Sequence, residues 1–368
     1  MMKTTIAEFV SYLESLDIQL TIEGESDTSL DQIRLRCNAP EGTLTNELRQ
    51  ELAKRKAELI FYLHSPQRRE IQSIQATTQG NVFPLSFAQQ RLWFLYQLAP
   101  DNPFYNVPAA LYLRGKLNKV ALERSFQEII RRHATLRTTF TMSNGQPMQV
   151  VAPNVNFELS VVNMPNVAVN ERDRISQSLA TTEAQRPFNL TTDLPLRVTL
   201  LQFDATEAVL LLTLHHIVAD GWSLGVLIRE LASLYTAFVT GETPVLPALP
   251  IQYTDFASWQ RNRLQGEVLE KQLAYWRNQL QHLPALDLPS DRPRPSIQTY
   301  RGATYPLQLS PTLTQALESL SQQFGVSLFM MLLAAFQTLL YRYTQQEDIA
   351  IGSPIANRSR SEVEGLIG

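Results

Sequence analysis

Two adjacent histidines, an aspartate and a glycine fall within seven residues, His215-His216-Ile217-Val218-Ala219-Asp220-Gly221, directly after the most apolar run of the chain, VLLLTL. Imidazole exchanges a proton near neutral pH, so the pair points to proton transfer at a reacting group. The apolar run predicts a buried strand, whose successive side chains point to opposite faces. The two histidines then cannot do the same job: one faces a cavity while the other packs into the scaffold. The same alternation argues against the pair chelating one metal ion, and no third ligand is suitably spaced. Asp220 stands where the chain must turn into a helix, where a carboxylate can cap that helix or hold the turn through an arginine. A lone histidine at a strand end is usually structural; an adjacent pair with Asp and Gly is far rarer by chance. The same region holds Gly221-Trp222-Ser223-Leu224-Gly225, a match to the serine elbow of α/β-hydrolases. Only His282 follows Ser223, inside a Leu/Pro-rich connection, and no lipase-type oxyanion motif accompanies it.

The elements that must position these groups are read from periodicity. Strands are predicted over 107–113, 136–142, 148–151, 196–203, 209–215 and 349–352, and amphipathic helices over 120–133, 222–238, 313–324 and 327–343. Leu122, Phe126, Ile129 and His133 share one face of the first helix, and a Pro-rich passage over 284–295 separates two lobes. The front of the chain is a unit of its own. Ile6, Phe9, Val10, Leu13 and Leu16 recur at helical spacing behind a capping box of Thr5 and Glu8. Ile18, Leu20 and Ile22, then Ile33, Leu35 and Cys37, alternate with polar residues that include Arg34 and Arg36, which predicts a hairpin with one buried face and Cys37 inside it. Thr45 opens a second helix carrying Leu48, Leu52, Leu59 and Leu63, and a polar linker covers 64–81. The fold class is α+β.

With 368 residues, 44% of them hydrophobic and 18% charged, the chain can bury two or three cores. Its net charge of -3 gives no reason to expect nucleic acid or an anionic membrane. Cys37 is the only cysteine, which excludes an intrachain disulfide and a multi-Cys zinc site and fits a reducing cytoplasm. The longest apolar run, 328–336, is half of the ~18 residues a membrane span needs.

HHIVADG is the HHxxxDG motif of the condensation and chloramphenicol acetyltransferase-like acyltransferases, and it is not isolated. LSFAQQRLWFLYQL (85–98), RRHATLRTTF (131–140, with Ala134 where the family often has Glu), YTDFASWQR (253–261) and IGSPIANR (351–358) resemble that family's motifs in order and rough spacing. The chain is therefore identified as a member of the nonribosomal-peptide condensation domains. The resemblance implies two lobes in a V with a tunnel between them, and donor and acceptor carrier domains presenting thioesters on phosphopantetheine. It implies amide formation, no bound cofactor or metal, His216 in the tunnel, and the Gly221 N–H as a donor to the oxyanion. His215 and Asp220 become supports, Asp220 pairing with an arginine: Arg137 first, Arg132 and Arg358 in reserve. Trp93, Phe94 and Trp259 become mostly scaffold. Heterocyclising relatives carry two aspartates in place of the histidines, and epimerising relatives usually lack Gly221-Trp222-Ser223. YNVPAALYLRG (105–115) resembles domains that join an L-donor to an L-acceptor.

The front unit resembles the tubulysin-type docking domain, most closely over APEGTLTNELRQELAKRKAELI (39–60). That implies homodimerisation and capture of the C-terminal tail of an upstream synthetase or polyketide synthase on the hairpin edge, at Ile18, Leu20, Ile33, Arg34 and Arg36. The expected architecture is a helix–hairpin–helix docking domain (1–63), a linker (64–81), a first condensation lobe (82–283) and an incomplete second lobe (284–368). A non-catalytic docking or scaffolding fragment is the alternative reading.

Overall fold

A computed structural model describes residues 6–16, 18–23, 34–39, 43–64, 74–77, 80–293, 295–296, 299–300, 302–358 and 360–368. The chain divides into two compact units, Met1–Gln75 and Ala76–Gly368.

In the first unit, helix α1 (Ile6–Ser15) buries Phe9, Val10 and Leu13, and the chain turns back at once, Ile18 N–H donating to the Leu13 carbonyl at 2.9 Å. Strands β1 (Gln19–Glu23) and β2 (Arg34–Asn38) pair antiparallel with Leu20 opposite Cys37 and Ile22 opposite Leu35. Ile18 is fully buried, Leu20 and Leu35 are half-buried against the same core, and Arg36 is exposed. Cys37 departs from expectation. It sits one pair from the open end of the hairpin, opposite Leu20, and is exposed. The single second helix is in fact two, α2 (Asn46–Lys54) and α3 (Lys56–His64), broken at Arg55. Thr45 caps α2, its hydroxyl accepting from Leu48 N–H at 3.3 Å. At the break the Arg55 guanidinium lies over the Phe9 ring and pairs with Glu58. Thr5, Ile33 and the side chains of Glu8 and Arg34 lie outside the described residues, as does most of the expected linker.

The second unit is built on two sheets. Strands β3 (Val82–Pro84), β5 (Thr138–Ser143) and β6 (Gln146–Val151) form one, in the order β3-β6-β5. Strands β4 (Asn106–Arg114), β7 (Ser160–Asn163), β8 (Leu196–Gln202) and β9 (Glu207–His215) form the other, in the order β4-β9-β8-β7. Central β9 is covered on both faces, which is why its sequence is apolar without alternation. Leu210, Leu212 and Leu214 join the main core with Phe126 and Ile129 of α5 (Lys119–Arg132) and Val226, Leu227, Leu231 and Leu234 of α7 (Gly221–Thr240). Val209 and Leu211 pack on the other side with Leu179 and Ala180 of α6 (Val169–Gln185). Helix α7 is long and apolar enough to cross a membrane by length and composition, but that apolar side is packed into this core.

Helix α4 (Phe87–Leu98) opens with a capping box between Ser86 and Gln89; its Trp93 is buried, whereas Phe94, expected as scaffold, is exposed. Strand β5 begins two residues later than expected because Ala134–Arg137 forms a 3₁₀ turn. Helices α8 (Tyr253–Arg263) and α9 (Gly266–Gln279) precede the Pro-rich passage, and α10 (Pro311–Phe324) and α11 (Leu328–Thr344) follow it, capped by Ser310 and Ser327. Residues 349–352 form no strand. After α11 the chain returns to the main core. Around the short α12 (Ser361–Glu364), Val363, Leu366 and Ile367 are buried, and Ile367 belongs to the main core.

Candidate active site

The end of β9 places the histidines. Asn106 on β4 pairs with His215, and the Tyr105 carbonyl accepts the His216 N–H at 2.8 Å, so β4 clamps both residues by backbone alone. Alternation then separates them as expected: His215 is 4% exposed and His216 is exposed. The His215 Nδ1 accepts from Ile217 N–H at 3.1 Å, leaving its proton on Nε2. Its ring meets Phe188 edge-on at 6.0 Å, and the Arg197 guanidinium lies over the Phe188 ring at 3.7 Å. Burial, reinforced by the neighbouring His216 and Arg197 charges, pushes the His215 pKa down to about 4. His215 is therefore neutral near pH 7 and held as a hydrogen-bond acceptor for the turn that follows.

That shift predicts acid sensitivity. An unfolded histidine titrates near ~6.5, so below that pH the unfolded chain binds a proton that folded His215 refuses until about pH 4. The contribution is fully present above pH 6.5 and is lost as pH falls from about 6.5 towards 4, by about 3 kcal/mol at the bottom of the window. Urea unfolding at pH 7 and 4.5 should show this loss in the wild type and a flatter dependence in His215→Gln. Equal pH dependence in both proteins would assign the acid sensitivity to other groups.

Asp220 does both jobs expected of it. As the N-cap of α7 its Oδ1 accepts from Ser223 N–H at 2.8 Å and Ser223 Oγ–H at 2.7 Å, and Arg358 Nη2 approaches the same oxygen at 3.4 Å. Arg358 is a hub. It also donates to the carbonyls of Val363 (2.8 Å), Leu366 (3.0 Å) and Gly368 (2.6 Å), tying the returning segment to the start of α7. Arg137, the first choice from sequence, is not the partner. It ends the 3₁₀ turn and donates to the Ala152 carbonyl just past β6. Arg132 is taken by Glu230, at 2.9 and 3.2 Å, and so is His133 Nε2 at 3.0 Å. Burial would raise the Glu230 carboxyl, but hydrogen bonds from His133 and Arg132 outweigh it and hold the pKa below the usual range.

Two contributors were missed from sequence. Glu230 interrupts the apolar stripe Val226-Leu227-Leu231-Leu234 on α7 opposite the basic RRH segment, a signal that a buried ion pair joins the two. Buried Gln89 donates to the Ile217 carbonyl at 3.4 Å and to Gln149 Oε1 at 3.3 Å, bracing the turn after the histidines. The hydrolase reading fails on geometry: Ser223 Oγ is buried, donates to Asp220 and contacts no histidine among the described residues. Ser223→Ala should therefore cost stability, by about 1 kcal/mol for the lost hydrogen bond, and leave turnover within about twofold. A complete loss of turnover in a folded variant would reinstate the serine.

What is left open is small. His216 makes no side-chain hydrogen bond with the described residues, and the Gly221 N–H, at the first position of α7, meets no protein acceptor among them. A β-carbon on Gly221 would meet no atom within 4 Å. A free imidazole and, five residues later in the chain, an unused helix-start N–H offer a proton acceptor and an oxyanion donor.

Comparison with known proteins identifies the family. A family model described as Condensation domain matches residues 79–368, and one described as TubC N-terminal docking domain matches residues 6–65. A linear gramicidin synthase protein of Brevibacillus parabrevis is 52% identical over 286 residues, covering 77% of this chain and 4% of that protein. Phosphinothricin tripeptide synthetase PhsC of Streptomyces viridochromogenes is 42% identical over 286 residues, 77% of this chain and 26% of its own length. The chain thus spans only a small part of these relatives. The crystal structure of the X-domain from teicoplanin biosynthesis superposes with a TM-score of 0.71 at 30% identity, covering 80% of this chain and 65% of that one.

Proposed function

Since the chain belongs to the condensation-domain family of nonribosomal peptide synthetases, with a TubC-type docking domain ahead of it, we propose that it joins two carrier-bound substrates through an amide bond. The observation that carries this is that His216 is exposed and, with the Gly221 N–H five residues later, has no hydrogen-bond partner among the described residues, while His215, Asp220 and Ser223 are all engaged structurally. Residues 1–63 are the docking domain, 64–81 the linker, 82–283 the first lobe and 284–368 part of the second.

The donor arrives as a peptidyl or aminoacyl thioester on the phosphopantetheine arm of one carrier domain, and the acceptor as an aminoacyl thioester on another. The acceptor α-amine attacks the donor carbonyl. Its reference pKa of ~7.7–8.0 leaves an appreciable neutral fraction, so prior deprotonation is not the main need. His216 orients the amine and takes its proton as the tetrahedral intermediate forms, while the Gly221 N–H donates to the oxyanion. Collapse makes the amide and expels the donor thiolate, which recovers the proton from the imidazolium. The thioester supplies the activation, so this step consumes no nucleotide. The L-donor, L-acceptor assignment is supported by YNVPAALYLRG, which forms β4 directly beside β9. The single cysteine fits a cytoplasmic home. The test is to load donor and acceptor carrier domains with aminoacyl thioesters, add the protein and look for dipeptidyl-carrier by mass spectrometry. Acceptor that stays unmodified with every L,L pair tried would sink the proposal.

The docking unit has its own core, and among the described residues no third strand pairs with the outer edges of its two-stranded sheet, which offer a template for strand addition. An extended, acidic C-terminal tail of an upstream synthetase or polyketide synthase fits beside Arg34 and Arg36, on a unit that pairs with a second copy. Titrating the isolated unit with such a tail should move the backbone amides of β1 and β2, with affinity falling as salt rises. Arg36→Glu should weaken binding ~2–5-fold. Shifts confined to α2 and α3 would refute strand addition, and a monomer in sedimentation would refute self-pairing.

A further inference from the structure

Arg137 is a half-buried cation without a counter-ion. Its one hydrogen bond goes to the Ala152 carbonyl, and no carboxylate among the described residues lies within ion-pair distance. Burial, then the nearby Arg131 charge, holds its pKa below the usual guanidinium range. Other arginines tucked into this lobe have an answer to their charge: Arg132 has Glu230, Arg197 has Glu183, and Arg358 has Asp220. Arg261 also lacks a carboxylate, but it divides its donors between the Leu85 carbonyl and Gln90 and lies over the Phe87 ring. An uncompensated cation is expensive to keep away from water.

Beside Arg137 opens a cavity of about 450 Å³, lined also by Phe83, Val151, Pro153, Gln252 and Asp255. That volume is within the range of small-molecule sites, roughly 300–1,000 Å³. Asp255 and Gln252 are already occupied. Asp255 accepts backbone N–H groups from Thr77 (2.8 Å) and Gln252 (2.7 Å), closing the start of α8. The Gln252 amide accepts from Ala134 N–H at 2.9 Å and donates to the Arg132 carbonyl at 3.0 Å. The guanidinium is the charge left to recognise a ligand.

We propose that this cavity binds a small monocarboxylate with a short aliphatic body. The guanidinium fork matches a planar carboxylate. Phe83, Val151 and Pro153 supply apolar wall for the body. Asp255 in the same wall repels a second negative charge, which favours a monoanion over a phosphate dianion. The site shares no residue with the His215–Gly221 motif, so it stands or falls independently of amide formation.

Saturation-transfer NMR on the full chain, with 3-methylbutanoate as probe and its neutral amide, 3-methylbutanamide, as comparator at equal ionic strength, tests this. The acid should saturate and the amide should bind about tenfold more weakly, the cost of losing a charge-assisted hydrogen bond. Arg137→Gln should lower acid binding by a similar factor while melting at or above the wild-type temperature, because it removes the uncompensated charge. If that variant does not fold, Asn81→Trp, at the exposed rim of the cavity, should block the probe with Arg137 intact. No saturation in the wild type, equal saturation by acid and amide, or binding that survives both substitutions would overturn the proposal.

Discussion

Replacing His216 with alanine should leave a folded protein that forms dipeptidyl-carrier about 10²–10⁴-fold more slowly, the usual range for loss of a positioned acid–base group. Folding should survive because the side chain is exposed and the residue is held by its backbone N–H to the Tyr105 carbonyl, a bond alanine keeps. The melting transition should move by no more than about 0.5 kcal/mol, as for other exposed substitutions. His216→Gln separates two roles. If His216 mainly orients the amine, glutamine, which can still accept a hydrogen bond, should recover part of the lost rate. If proton removal dominates, glutamine should be as slow as alanine. Wild-type turnover in His216→Ala would remove the residue from the mechanism altogether.

His215 and His216 were separable in the sequence because a strand has a period of two, and the apolar run before them marks β9 without ambiguity. The capping role of Asp220 was equally legible, since it depends only on residues up to Ser223. The identity of its arginine was not. Arg358 is 138 residues away and reaches Asp220 only because the chain returns over α7 after α11. Local pattern offered three arginines and no means of choosing among them. The hairpin of the front unit was visible in alternation, but alternation cannot say how far along a strand the burial extends, so Cys37 was placed inside and is exposed. Residues 349–352 carry strand-like side chains and have no neighbouring strand among the described residues to pair with. Helix α6 was missed because its sequence is polar on most sides: Ser176 is its one buried residue.

Removing the charge of Asp220 should destabilise the protein by about 3 kcal/mol, towards the lower end of the range for breaking a buried ion pair. The Arg358 side chain is 6% exposed and that of Asp220 27%, so the arginine is the partner left stranded when the carboxylate is neutralised. Its bonds to the Val363, Leu366 and Gly368 carbonyls remain, which keeps the loss below the upper limit of about 5 kcal/mol. Asp220→Asn isolates the charge, since the amide oxygen can still accept from Ser223 N–H. Asp220→Ala removes the cap as well and should cost about 1 kcal/mol more. Arg358→Met should be costly in another way, releasing the segment that carries Ile367 into the core and leaving those carbonyls unpaired. In a double-mutant cycle the combined Asp220→Asn, Arg358→Met protein should be less destabilised than the sum of the two singles, because the second change no longer strands a charge. Activity should fall with the start of α7, as the Gly221 N–H loses its fixed direction, and the melting temperature should fall with it. An unchanged melting curve together with lost turnover would make Asp220 a participant in the chemistry instead of the brace that holds it.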